Sequence, residues 1–67
     1  MGMPAGLKKA TNYYNRIEAW KDWNRCAALA QDAGRGDLVE KYQPKPDAGW
    51  RVIDRQRHKL EAEMKGA

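Results

Sequence analysis

Residues 11–34 read TNYYNRIEAWKDWNRCAALAQDAG, and within them Tyr13, Ile17, Trp20, Trp23, Ala27 and Ala30 recur three or four positions apart. That spacing returns to one side of a 3.6-residue turn, so it lays a single apolar stripe along a helix. Thr11 and Asn12 are good N-cap residues, because a short polar side chain can accept a hydrogen bond from an unpaired first-turn amide. Glu18, Ala19, Lys21, Ala27, Ala28, Leu29, Ala30 and Gln31 are strong helix formers that carry the pattern to Ala33. Gly34 suits the left-handed position that closes a helix. The first helix is therefore predicted over about residues 12–33, behind a flexible N-terminal segment, residues 1–11.

Beyond Gly34, Asp37 can cap a short turn through Leu38, Val39, Glu40, Lys41 and Tyr42, which Pro44 and Pro46 must end because proline removes a donor and extends its predecessor. A short helix is predicted over about 38–42. Asp47 offers another cap, and Trp50, Ile53, Arg57, Leu60 and Met64 follow at spacings of three, four, three and four. A second long helix is predicted over about 48–65. The sequence has neither internal repeats nor strand-like alternation. The fold class expected is all-α, with residues 12–67 as one domain: an antiparallel helical hairpin of two long helices with the short connecting helix packed at one end.

A chain of 67 residues cannot gain much from one seam between two rods. Scaffolds below ~70–80 residues seldom obtain more than ~3–5 kcal/mol from a single core without a staple. One cysteine excludes an internal disulfide, and one histidine beside it excludes a Cys/His zinc site within the chain. Neither a metal nor a cofactor is expected. Self-association is the remaining route, and a homodimer closing into a four-helix bundle would cover the off-stripe residues Tyr14, Leu29, Leu38, Val39 and Val52.

Other chemistries find no support in the residues. Cys26 stands among Ala27, Ala28, Leu29 and Ala30, the setting of an inert buried thiol, and no enzyme activity is expected. Gly34-Arg35-Gly36 lacks the Lys-Ser/Thr of a phosphate-binding loop and reads as a turn. Gly6 stands where a myristoylation signal needs Ser or Thr. No apolar run approaches the ~20 residues of a membrane span, and Met1–Lys9 lacks the apolar core of a signal peptide. The mean hydropathy is -0.98. The expectation is a cytoplasmic protein without a membrane partner.

The positive features concern surfaces. The formal charge is +4, with an isoelectric point near 9.5. Arg51, Arg55, His58, Lys59 and Lys65 fall on the side of the second helix away from the Trp50–Met64 stripe. They read either as a solvated face supported by Asp54–His58, Arg57–Glu61 and Glu61–Lys65 pairs, or as a contact surface for phosphates or an acidic protein. Arg57 occupies a seam position, where it could fix register through Glu18 or Asp22, or lay its stem over Trp20 or Trp50 and keep its head in water. Three Trp and three Tyr with no Phe favour side chains that combine apolar area with a polar edge. The tryptophans fit the stripes, whereas Tyr14 and Tyr42 do not and are candidate contact residues, Tyr42 beside the proline-bearing connector.

Leu29-Ala30-Gln31-Asp32-Ala33-Gly34 resembles the first half of a DNA-binding helix-turn-helix, in which a small residue packs on the second helix and glycine makes the turn. The sequence departs from that pattern after the glycine, where Arg35, Gly36 and Asp37 follow, and Leu38–Tyr42 is short for a major groove. At class level the size, the helical hairpin and the absence of catalytic groups resemble short accessory proteins of phages and mobile elements that bind and disable a host factor. The expected function is a non-enzymatic interaction module, a dimeric adaptor or inhibitor that binds a larger host protein. The alternative is a small basic DNA-binding regulator, with nucleic acid as the second choice of partner.

Overall fold

A computed structural model describes the backbone of residues 5–66 and the side chains of residues 11–66. Three helices, α1 (Ala5–Asp32), α2 (Gly36–Tyr42) and α3 (Trp50–Gly66), account for all its regular structure, and no strand occurs among the described residues. α1 begins well ahead of Thr11 and Asn12, which are interior positions and not caps. Leu7, Lys8, Lys9 and Ala10 are good helix formers, so nothing in that stretch breaks the helix. The segment of residues 1–11 is thus helical from Ala5 onward, while residues 1–4 lie outside the described part.

α1 ends as its sequence implies. Gly34 has φ +76, Gly34 N donates to Gln31 O at 3.0 Å and Arg35 N donates to Ala30 O at 2.8 Å. This pair of bonds is a Schellman closure, which satisfies carbonyls that the last turn leaves open. α2 follows at once, and a Lys45–Ala48 turn delays α3 until Trp50.

The relative direction of the long helices corrects the hairpin expectation. Arg16 Nε donates to the carbonyl of Ala48, just ahead of α3. Ten residues further along α1, Cys26 bonds Glu61 in the second half of α3, and Leu29 shares a cleft with Met64 and Lys65. Partners advance together along both helices, so α1 and α3 run parallel. A tight turn cannot connect parallel neighbours; the chain must travel back the length of α3, about 25 Å at 1.5 Å per residue. α2 and the non-helical connector from Gln43 to Gly49, with its Lys45–Ala48 turn, make that return. Pro44 and Pro46 thus hold a strap open as well as ending α2, and Pro44 is buried.

The core is one cluster of Ala19, Trp23, Ala27 and Ala30 from α1, Leu38 and Val39 from α2, and Ile53 and Leu60 from α3. Trp20, Cys26, Tyr42, Ala48, Trp50 and Met64 pack around it, half-buried. The alanines let two helical backbones approach closely, and Trp23, Ile53 and Leu60 fill the remaining volume, each at 1% exposure or less. The apolar stripe is rotated from its expected place. Tyr13 is 68% and Ile17 38% exposed: Tyr13 lies at an open cleft beside the start of α3, and Ile17 points off the side that Ala19 and Trp23 bury. Leu38 and Val39 of α2 are core, so α1 and α3, not a second copy, cover them.

Candidate interaction surface

On α3, Ile53 and Leu60 are fully buried, and Arg51, Arg55, His58, Lys59 and Lys65 are exposed. At 100° per residue these five side chains centre on the side opposite the two core residues. The basic face expected from the sequence is formed. Arg51 lies over the Trp50 ring, 5.3 Å from its centroid, an arrangement that an aromatic quadrupole favours. His58 Nδ1 is 3.8 Å from Asp54 Oδ2. Among the described residues, no ion pair engages Arg55, Lys59 or Lys65. The Glu61–Lys65 pair does not form, since Glu61 turns to Cys26 and Arg57.

The two tyrosines do not join this face. Tyr14 is 68% exposed on the side of α1 away from the core. Tyr42 is half-buried against the core, where its hydroxyl donates to Glu63 Oε1 at 2.7 Å and its carbonyl accepts from Gln56 Nε2 at 3.2 Å. Its contacts fasten α2 to α3. The Tyr42 hydrogen bond and neighbouring Lys41 hold the Glu63 carboxyl below its ordinary range.

Arg57 resolves differently from both of its expected arrangements. Its partners are on its own helix: Nη2 donates to Asp54 Oδ1 at 2.7 Å and Nη1 to Glu61 Oε1 at 2.8 Å. Glu18 and Asp22 pair with Lys21 and Arg25 instead. The two carboxylates raise the Arg57 pKa, the Asp54 bond most. Arg57 Nε is buried without a hydrogen-bond partner, so the side chain is held at the seam by its outer nitrogens. Glu61 also accepts the Cys26 thiol proton at 2.9 Å. That bond, with Arg57, lowers the Glu61 pKa, while burial first and Glu61 second push the thiol up. A thiol held protonated is a poor nucleophile.

Arg16 is the residue whose importance the stripe concealed. Its guanidinium donates to the carbonyls of Pro46 and Ala48, clamping the strap to α1. It stands three residues before Ala19 and seven before Trp23, on the side that faces the core. Beside this clamp an open cleft of about 550 Å³ separates α1 from the start of α3. Among the described residues no group of three His, Cys, Asp or Glu side chains could hold a metal ion. No described helix is long and apolar enough to cross a membrane. Comparison with protein families, curated proteins and solved structures finds no match to this chain.

Proposed function

We propose that the protein is a non-enzymatic interaction module, an adaptor or inhibitor that docks the outer face of α3 on an acidic surface of a larger host protein. The observation that carries this reading is the row of Arg51, Arg55 and Lys59, held on a helix opposite its core with no acidic partner among the described residues. Unpaired cations on a fixed frame can meet a complementary acidic patch without first breaking an internal ion pair, and they steer encounter. Cytoplasmic action and homodimerisation belong to the same proposal. Exposed Tyr14 and Ile17 on the free side of α1 are the surface a second copy would cover.

The DNA-binding alternative gains less support. α2 buries Leu38 and Val39 and carries Asp37 and Glu40 outward beside Lys41, so its exposed side offers no favourable net charge to a major groove. Phosphate contact would fall to α3 alone. Titrating labelled nonspecific duplex DNA from ~50 to ~200 mM salt separates the two, since phosphate binding falls steeply with salt. The proposal expects negligible duplex binding at the upper end, where an acidic protein partner stays bound. Tight duplex binding there contradicts it.

A further inference from the structure

We infer that the cleft between α1 and the start of α3 receives one apolar side chain from an acidic partner segment lying along the α3 basic face. This deepens the docking proposed above and rests on it. The walls are apolar and open: Tyr13 is 68% and Val52 44% exposed, and Trp50 is half-buried between them. At about 550 Å³ the cleft has the size of ordinary ligand sites, ~300–1,000 Å³, enough for an aromatic or long aliphatic anchor.

Charge selects the rest of the occupant. Among the described residues, none that lines the cleft is acidic. Arg51, over the Trp50 ring, and Arg16 both line it, and the first turn of α3 carries no carboxylate. Arg51 belongs both to the cleft and to the basic face, with Arg55 one turn further, about 6 Å along the axis. An apolar anchor flanked by carboxylates meets both features at once. A second copy of this chain would bring its own charge of +4 to a cationic rim, and duplex DNA presents no protruding apolar side chain.

The test uses the full-length ¹⁵N-labelled chain and a synthetic peptide of glutamates and aspartates around one central Phe. Companion probes are the same peptide with Ala in place of Phe, and nonspecific duplex DNA. Expected are shifts at the Trp50 indole, Tyr13 and Val52 together with Arg51 and Arg55, and about tenfold or greater weakening when the anchor is Ala. V52D and Y13A alter exposed residues, so their melts should match the parent, and both should erase the preference for Phe. Equal affinity for the Phe and Ala peptides, with shifts confined to Arg55 and Lys59, overturns the cleft and leaves the α3 face standing. No shifts with either peptide up to millimolar concentration, or α3 shifts with DNA alone, overturn both.

Discussion

Cys26 Sγ donates to Glu61 Oε1 at 2.9 Å, joining the second half of α1 to the second half of α3. With Arg57 bridging Glu61 to Asp54, this polar knot sits where an apolar layer would otherwise continue between Ile53 and Leu60. A polar group at one seam position matches only one partner position, so it fixes register at some cost in stability. Here the register it fixes is parallel.

That topology is open to direct measurement. A nitroxide on Leu29→Cys in a Cys26→Ser background sits at an exposed site beside Met64 and Lys65. Within α3, paramagnetic broadening should be strongest at the Met64 and Lys65 amides. An antiparallel pair would instead broaden Trp50 and Arg51.

The rotated stripe changes which tryptophan matters. Trp23→Ala and Leu60→Ala remove side chains that are 1% and 0% exposed and should each cost about 2–5 kcal/mol, enough to unfold so small a protein. Trp20→Ala should cost less, because Trp20 is only half-buried. Urea melts that rank Trp20 above Trp23 would contradict the core assignment.

Arg16→Ala should release the strap. Charge-assisted hydrogen bonds to two carbonyls are lost, one of them part-buried, for about 1.5–3 kcal/mol. Lys at this position, able to reach one carbonyl but lacking the planar fork, should recover part of the loss. Chemical denaturation of the three proteins measures this; an Arg16→Ala melt equal to the parent removes the clamp.

Acid should weaken the fold through Glu61 and Glu63. Both carboxyls are lowered from 4.5 in the folded chain, so their contribution is present above that ordinary value and disappears as pH falls through the lowered folded values. The melting temperature should be level from about pH 7 to about pH 5 and decline below about 4.5. Glu61→Gln should blunt the decline. A parent that melts equally at pH 3 and pH 7 contradicts the assignment.

Much of this architecture could be read from residue order. Gly34 marked the end of α1, the two prolines marked the end of α2, and the spacing from Trp50 to Met64 placed α3 and its basic back. Helix direction was hidden because each amphipathic pattern is local, whereas parallel packing depends on how far the strap reaches. Arg16 and Arg57 were opaque for a related reason. Periodicity shows which side of a helix a charge occupies, but the carbonyls of Pro46 and Ala48, and the choice of Asp54 over Asp22, exist only once the strap and seam are assembled. Tyr42 lay off the helical stripes, yet the descent of α2 along α3 brings it to Gln56 and Glu63.

The outer face of α3 is tested most directly by reversing Arg51, Arg55 and Lys59 to Glu together and measuring retention of the partner captured from the native host beside the parent protein. The three side chains are exposed, and exposed charges contribute only ~0–1 kcal/mol to folding, so helicity and melting should be preserved. The account predicts an acidic partner retained by the parent and lost by the triple variant with its fold intact. Equal retention by both proteins would contradict it.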